Sequence, residues 1–447
     1  MPIGCIIVLH ECRQKVRMKK TLPLLLIFLT SIFNIAIAQS VAHNRCTAFG
    51  KGMNLSNWLE AYWQSNFPTS DGYTYQDLAK MKEAGIQSIR LPIGFASATD
   101  TVAPYTVDLN HPLFTRVDSV ISWCDALGLN LIIDNHHNWD IFNQNWRNKI
   151  DRFSHMWSVV SNRYKTLDPN RYTFELLNEP AFGIAIDTLN IVFNHAIDSI
   201  RQHTILHSII VSPNFSSNGA AFANLIPLAD TNLIYTWHSY DPYQFTHQGF
   251  SWASPQVPAG QSFPGAFDQG LYTAWSTVIN WRNTYNKPFF LGEFGTGVFG
   301  DDVSRCNWIN VFGSKIDSFD MPWFYWDWRW DFSLFNSNTI SADSVVPCFR
   351  HGLHLYGDTL LSSLQAINDY HSSISLYPNP ATSYTSINLT TTDINAATVV
   401  IYDISGKKIF ADRFYRQTVI PVPFTSGLYI AEIATENGVL RKKLIVQ

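Results

Sequence analysis

The sequence predicts an α/β fold, a closed (β/α)8 TIM barrel, followed by a small all-β sandwich domain. Between about residues 45 and 370, short apolar runs alternate with helical patterns, which is typical of parallel strands joined by crossover helices. The runs do not alternate cleanly between polar and apolar residues, as expected of strands covered on both faces. After residue 371 short β patterns follow one another with tight turns between them, which favours a sandwich.

Eight strands account for the apolar runs. They cover Phe49–Asn54, Ser88–Ile93, Leu129–Asn135, Tyr172–Leu177, Ser208–Ser212, Leu233–Trp237, Pro288–Gly292 and Met321–Trp326. Helical patterns lie between them, notably at Tyr75–Gly85, Phe114–Gly128, Arg147–Lys165 and Ile186–His203. A doubly wound open sheet is the alternative, but it needs a glycine-rich phosphate turn after the first strand. The segment Lys51–Ser56 is not such a turn.

The N-terminal segment has the pattern of a secretory signal peptide. Lys19 and Lys20 precede an apolar run, Leu22–Ala38, that ends in an A-x-A cleavage signal. A membrane anchor is the alternative, because the run approaches membrane-spanning length. We interpret Met18 as the true start, with an extended leader as the alternative. The expected domains are a signal peptide at 1–38, the barrel at 39–370, and a linker with the sandwich at 371–447.

Charge and cysteine content narrow the classes of function. The chain has 447 residues and a formal charge of −4 without long basic runs, which argues against nucleic acid as a partner. Four cysteines remain after the signal peptide and allow three full pairings. A Cys306–Cys348 disulfide suits an exported protein. Cys124 lies within a helical pattern, where a buried free thiol is the simpler interpretation.

The ends of the predicted strands carry the polar residues that suit a reaction. In such barrels function collects at the carboxyl ends of the strands. Strands two to four deliver Arg90, then His136 and His137, then Asn178 and Glu179. Strands six to eight deliver His238 and Tyr240, then Glu293, then Trp326. Two glutamates are therefore expected on one rim of the barrel, surrounded by these side chains.

Paired carboxyl groups beside aromatic side chains indicate glycoside hydrolysis. One carboxyl protonates the leaving oxygen, and the other attacks the sugar or activates water. Apolar neighbours are expected to raise the pKa of Glu179, whereas Arg90 and Tyr240 keep Glu293 ionised. For a single glutamate, a helix cap or a surface salt bridge is the alternative. Two such residues, each following an apolar run, favour the catalytic interpretation.

No metal and no cofactor is expected. Adjacent strand residues point to opposite faces, so we expect His136 and His137 not to share a metal ion, and neither an H-E-x-x-H nor a G-x-S-x-G motif is present. Trp326 is expected at the floor of the cleft, and a place in the core is the alternative. Trp58, Trp139 and Trp252 either line the cleft or pack a loop.

These residues resemble glycoside hydrolase family 5, and most closely its bacterial endo-β-1,4-glucanases, over about residues 48–340. The matching motifs are Asn178–Pro180, His238–Tyr240, Gly292–Gly295 and Tyr325–Trp326, with Arg90, His136 and the segment Tyr240–Gly249. The resemblance implies a retaining double displacement on a β-glucan. We also expect a secreted monomer that needs no cofactor. It implies Glu179 as acid/base and Glu293 as nucleophile.

The resemblance also assigns the remaining site residues to substrate binding. Asn178 corresponds to the residue that binds the sugar 2-hydroxyl, and Arg90 and Tyr240 to the groups that position the nucleophile. His136 and His238 correspond to cleft histidines and Trp326 to the sugar platform. His137 matches less closely. Mannan, xyloglucan and mixed-linkage glucan remain open as substrates, as does a glycan-binding protein without catalysis.

The last seventy or so residues resemble the C-terminal sorting domain of the type IX secretion system. The matching segments are Tyr377–Ala381, Ile401–Lys408, Gly427–Tyr429 and Lys442–Val446. The resemblance implies the secretion machinery as a partner and export, followed by removal of the tail or attachment to the cell surface. A carbohydrate-binding module is the alternative, although the segment has few aromatic residues that would stack on a glycan.

Overall fold

The computed structural model describes residues 41–61, 72–137, 149–180, 184–214, 216–266, 268–335, 345–355, 374–377, 379–389, 396–415, 417–421, 425–435 and 438–447. The predicted signal peptide, its alternative start at Met18, and Trp139 lie outside the described residues.

Eight parallel strands close into a barrel in the order of the chain. They are β1 (Lys51–Asn54), β2 (Ser88–Ile93), β3 (Asn130–Asn135), β4 (Tyr172–Glu175), β5 (Ile209–Val211), β6 (Leu233–His238), β7 (Phe289–Phe294) and β8 (Trp323–Tyr325). Because β1 pairs with both β2 and β8, the sheet has no open edge. The eight predicted strands are confirmed, with bounds that differ by a few residues at most.

The helices of the barrel domain are α1 (residues 41–49), α2 (Tyr75–Glu83), α3 (Pro112–Leu127), α4 (Ile150–Tyr164), α5 (Ile186–Arg201), α6 (Tyr243–Thr246), α7 (Gln269–Tyr285), α8 (Asp302–Phe319) and α9 (Pro347–Gly352). Helices α2 to α8 lie between consecutive strands, whereas α1 precedes β1 and packs on the cluster at the amino end of the barrel, and α9 follows β8. A short 3-10 helix at Gly219–Asn224 takes the place of an α-helix between β5 and β6. Gly128 ends α3 in the left-handed conformation, with φ of 64°.

The interior of the barrel changes from apolar to charged along the strands. Near the amino ends of the strands, Ile132, Ile234 and Phe290 form one buried cluster. Side chains two residues apart on a strand share a face, so Asp134 follows Ile132 on the inside, closer to the carboxyl end. Arg90 and Glu175 are fully buried and contact each other there. This charged layer lies directly beneath the site.

The C-terminal domain consists of seven antiparallel strands. They are β9 (Ile374–Tyr377), β10 (Tyr384–Leu389), β11 (Ala396–Asp403), β12 (Lys408–Tyr415), β13 (Gln417–Pro421), β14 (Gly427–Thr435) and β15 (Gly438–Val446). The spatial order is β15-β14-β11-β12-β13-β10-β9. A single residue pair, Tyr415 with Gln417, joins β12 to β13. Ile387 and Ile420 share one core with Val399 and Leu444, so the two halves of the sheet pack face to face as a sandwich.

The predicted disulfide is present and joins α8 to α9 through Cys306 and Cys348. Cys46 and Cys124 are buried free thiols, as expected for Cys124. Within the described parts of the chain, no helix combines the length and the hydropathy required to span a membrane.

Candidate active site

Glu179 and Glu293 meet at the carboxyl rim of the barrel. Glu179 follows β4 with a φ of 41°, a left-handed conformation that is uncommon outside glycine, whereas Glu293 lies within β7. One carboxylate oxygen of each lies within 4.8 Å of the other and of a His238 ring nitrogen. Nδ1 of His238 is 2.8 Å from Glu179 Oε1 and 3.6 Å from Glu293 Oε2. The structure therefore brings together the two glutamates that the sequence places on separate strands.

Arg90 organises the charged layer below the two glutamates. Its Nε and Nη2 donate to the two oxygens of Glu175 at 2.7 and 2.8 Å. Nη1 donates to Asn54 Oδ1 at 3.0 Å and to Glu293 Oε1 at 2.7 Å, and Nη2 also donates to Asn178 Oδ1 at 2.9 Å. A guanidinium has five N–H donors, so each has an acceptor. Arg90 is thereby held in one orientation.

Glu293 is surrounded by groups that favour its charged form. The residue is only 4% exposed, and burial raises the pKa of its carboxyl above the ordinary value. Arg90 and the hydrogen bond from Tyr240 oppose this rise in pKa, as does His238 when its ring is protonated. The Tyr240 hydroxyl donates to Oε2 at 2.9 Å, while Arg90 donates to Oε1. Both carboxylate oxygens therefore have a donor.

Glu179 has fewer such partners and lies closer to solvent. About a third of its side chain is exposed (32%), and it faces the cleft. Its desolvated surroundings raise the pKa of the carboxyl to about 7, against a smaller lowering by Arg90. Burial lowers the pKa of His238 to about 4, so this neighbour is neutral near pH 7. The two glutamates therefore have different environments, which is what an acid and a nucleophile require.

The second side of the site is built from His136, Asn178 and Trp326. Nδ2 of Asn178 lies 3.3 Å from Nε2 of His136, and Nδ1 of His136 lies 2.6 Å from Asp134 Oδ2. The His136 ring stacks on Trp326 with a centroid distance of 5.5 Å and an interplanar angle of 12°. Burial lowers the pKa of His136 well below the ordinary range and that of His137 to about 2. Both imidazoles are neutral at neutral pH.

The cleft above these residues has a volume of about 620 Å³ and mixed polar and aromatic walls. All the predicted site residues except Arg90, which lies beneath the floor, line it. Further lining comes from the β6–α7 and β8 loops, including Tyr243, His247, Trp252 and Phe332. Trp252 is 55% exposed and donates through Nε1 to Asp331 at 2.8 Å. It is therefore a cleft residue, whereas Trp58 is 2% exposed and belongs to the core.

The expectation that His136 and His137 point to opposite faces of a strand is wrong, whereas the expectation that they do not share a metal ion stays a prediction. Strand β3 ends at Asn135, so the alternation of faces no longer applies to His136 and His137. Their rings lie 4.7 Å apart, and both line the cleft. Sequence reasoning also missed Asp134 and Glu175 as partners of Arg90. The available signal was the alternation of faces along a strand, which places Asp134 on the inward face of β3 and Glu175 in register with it on β4.

A metal ion does not fit the carboxylate pair well. In the part of the chain that the structure describes, Glu179, His238 and Glu293 form the one group of side chains close enough to hold an ion. Arg90 already places a positive charge 2.7 Å from Glu293 Oε1, and Tyr240 occupies Oε2. A divalent cation would have to displace these donors and lie against the guanidinium.

Family models match both parts of the chain. A cellulase model, glycosyl hydrolase family 5, matches residues 45–331. A model of the secretion system C-terminal sorting domain matches residues 375–447.

Curated relatives and solved structures agree with these matches. Endoglucanase H of Acetivibrio thermocellus is 26% identical over 66% of this chain and 32% of its own length. Endoglucanase 3 of Fibrobacter succinogenes is 25% identical over 68% of this chain and 53% of its own length. The chain thus spans about a third of the length of the first relative and about half of the second. Endoglucanase C of Acetivibrio thermocellus is 23% identical over 65% of this chain and 94% of its own length.

Two solved structures are similar over nearly their whole length. A hyperthermophilic endo-β-1,4-glucanase in complex with substrate gives a TM-score of 0.64 at 26% identity and covers 70% of this chain and 99% of that one. Cel5A of Thermotoga maritima in complex with mannotriose gives a TM-score of 0.61 at 25% identity and covers 68% of this chain and 99% of that one.

Proposed function

Since the chain belongs to glycosyl hydrolase family 5, we propose that it is a retaining endo-β-1,4-glucanase that cleaves cellulose or a related soluble β-glucan. Glu293 is the nucleophile and Glu179 the acid/base. The C-terminal domain is a type IX sorting domain, which indicates release from the cell or attachment to its surface. All the named site residues come from one barrel, which supports a monomer as the active unit.

The spacing of the two carboxyl groups carries the mechanistic part of the proposal. Retaining enzymes hold these groups about 5–5.5 Å apart, and inverting enzymes hold them about 6.5–9.5 Å apart to admit a water molecule. Here an oxygen of Glu179 and an oxygen of Glu293 lie within 4.8 Å of each other. The short separation favours direct attack by one carboxylate.

The reaction takes two balanced steps. First, a Glu293 oxygen attacks the anomeric carbon, the bond to the leaving sugar breaks, and protonated Glu179 gives its proton to the departing oxygen. Second, a water molecule gives a proton to ionised Glu179 while its oxygen displaces Glu293 from the sugar. Both carboxyl groups return to their starting states.

The local charges suit these roles. A pKa of about 7 for Glu179 keeps a substantial fraction protonated in neutral solution while allowing the proton to leave. Arg90 and Tyr240 each donate to Glu293 and stabilise its negative charge between turnovers. Trp326 lines the cleft beside Glu293 and offers an aromatic face on which a sugar ring can stack.

The test of substrate class is a side-by-side assay of reducing ends released from carboxymethyl-cellulose, glucomannan and xyloglucan. Glucomannan is included because a similar structure was solved with mannotriose. We expect release from carboxymethyl-cellulose with a rapid fall in viscosity, as internal cleavage requires. Faster release from another polymer would change the assigned substrate. Binding without release would instead indicate a glycan-binding protein.

The stereochemical test is separate from the substrate test. Proton NMR during the first minutes of cellopentaose hydrolysis distinguishes the two anomers before they equilibrate. We expect the β-anomer to form first, as double displacement requires. Initial formation of the α-anomer would overturn the retaining mechanism.

A further inference from the structure

A hydrogen-bonded relay runs from Arg90 through Asn178 and His136 to Asp134. The distances between the paired atoms are 2.9, 3.3 and 2.6 Å in that order. Asp134 also lies 3.1 Å from Arg90 Nη2 as an ion pair, which closes the relay into a ring of four side chains. Nothing in the proposed reaction yet assigns a role to Asp134.

The direction of every hydrogen bond in the relay follows from Arg90. A guanidinium only donates, so the oxygen of Asn178 must face it, and Nδ2 of Asn178 faces His136. Nε2 of His136 must then accept. Because a neutral imidazole carries one N–H, the proton of His136 lies on Nδ1, where it is donated to Asp134. Oδ2 of Asp134 is thus the acceptor. Burial raises the pKa of this carboxyl to about 7, and Arg90, 3.1 Å from Oδ2, opposes the rise and favours the ionised form.

The reverse direction fails at each end. A protonated Asp134 donating to Nδ1 would move the histidine proton to Nε2, where it would meet the N–H of Asn178. Turning the Asn178 amide over would then place its nitrogen 2.9 Å from Arg90 Nη2, again donor against donor. Only one pattern satisfies all four side chains.

The surroundings of Asp134 and His136 support this role. Asp134 is fully buried, and its Oδ1 has no hydrogen-bond partner within the described chain, so its hydrogen bonding is concentrated on the oxygen that faces His136. The His136 ring is fixed against Trp326 by stacking, which limits its rotation. The relay therefore acts on an imidazole already held in one plane.

We propose that Asp134 is a positioning residue: it holds the proton of His136 on Nδ1, so that Nε2 accepts one N–H of Asn178. With the Asn178 oxygen held by Arg90, the second N–H of Nδ2 then faces the cleft as a donor. On the proposed function, the acceptor is the 2-hydroxyl of the sugar at the cleaved bond. A donor held in place before substrate arrives costs no reorganisation during the reaction.

The tautomer of His136 tests the relay without any activity measurement. Two-bond proton–nitrogen NMR spectra of the full chain labelled with nitrogen-15 histidine separate the two neutral tautomers, and a His136→Gln sample assigns the signal. We expect His136 to be neutral with the proton on Nδ1. A proton on Nε2, or a doubly protonated ring, would overturn the proposal.

Two substitutions and two substrates separate positioning from a merely structural role. Asp134→Asn keeps an oxygen that accepts from His136, whereas Asp134→Leu has similar size and no acceptor. The substrates are an aryl β-cellobioside and its analogue lacking the 2-hydroxyl on the ring next to the aryl group. On the aryl β-cellobioside, we expect Asp134→Leu to lower kcat/KM about tenfold to a hundredfold, as for loss of a strong hydrogen bond. On the analogue that lacks the 2-hydroxyl, kcat/KM of Asp134→Leu should stay within about threefold of that of the unsubstituted chain.

Under the same assay, Asp134→Asn should stay within about threefold of the unsubstituted chain on both substrates. Equal losses on both substrates, or equal losses for Asp134→Asn and Asp134→Leu, would contradict positioning and assign Asp134 to charge balance alone. If the chain cleaves neither aryl glycoside, the proposed function fails. The NMR spectrum still decides the relay, because it needs no substrate.

Discussion

Replacing Tyr240 with phenylalanine tests how the charge on Glu293 is maintained. The Tyr240 hydroxyl donates at 2.9 Å to Glu293 Oε2, and this bond opposes the rise in pKa caused by burial. Phenylalanine keeps the ring and its contacts with His247 and Phe332 but removes the donor. Without it, the pKa of Glu293 should rise further, so ionisation of the nucleophile should require a higher pH.

The size of the shift follows from the contacts that remain. A hydrogen bond to a charged group contributes about 1.5–3 kcal/mol, and 1.36 kcal/mol corresponds to one pKa unit. Arg90 still donates to the other oxygen, and His238 lies 3.6 Å from Oε2. We therefore expect the lower end of that range, a rise of about one pKa unit.

The assay is the pH dependence of kcat/KM on an aryl β-cellobioside. The acidic limb reports ionisation of the free nucleophile and should move upward by about one unit in Tyr240→Phe. Tyr235→Phe is the matched control, since the Tyr235 hydroxyl accepts from the Leu228 backbone and is buried away from the cleft. An acidic limb that stays in place or moves downward in Tyr240→Phe would refute this account of Glu293.

Three further predictions follow from the site and the fold. Glu293→Ala should lower kcat on an activated aryl cellobioside by roughly four orders of magnitude, and added azide should partly restore glycosyl transfer; normal activity would exclude Glu293 as nucleophile. Glu179→Gln should slow cellopentaose hydrolysis far more than formation of the glycosyl-enzyme from a dinitrophenyl glycoside, whose leaving group needs no proton; equal losses would contradict the acid role. Replacing Cys306 and Cys348 with alanine removes a cross-link between residues 42 positions apart, which should lower the free energy of unfolding by about 4 kcal/mol from chain entropy. Urea unfolding measures this change, with Cys124→Ala as the control. An unchanged unfolding midpoint would contradict the stabilising role of the disulfide.

The barrel was predictable because parallel strands covered on both faces leave a strong pattern. Runs such as Leu233–Trp237 are mostly apolar, and the helical segments between them end on residues such as Gly128. The topology then forces the carboxyl ends of the strands onto one rim. Glu179 and Glu293 are far apart in sequence, yet this rule alone brings them together.

The charged layer below the rim was harder to predict. Glu175 sits inside an apolar run, and a single charged residue there does not break the strand pattern. Only the pairing of strands reveals that Arg90, Asp134 and Glu175 face one another inside the barrel. The walls of the cleft are harder still. Trp252 lies in a long loop whose path follows no periodicity, so its place beside the site depends on tertiary contacts such as that with Asp331.

The most direct test of the central claim is covalent trapping of the nucleophile. A dinitrophenyl 2-deoxy-2-fluoro-β-cellobioside slows the second displacement, so the intermediate should accumulate on the intact chain. Peptide mass spectrometry should find one fluorinated cellobiosyl group, attached to Glu293, and none in Glu293→Ala. A label on Glu179, or rapid turnover of an activated cellobioside with no covalent species, would contradict the account.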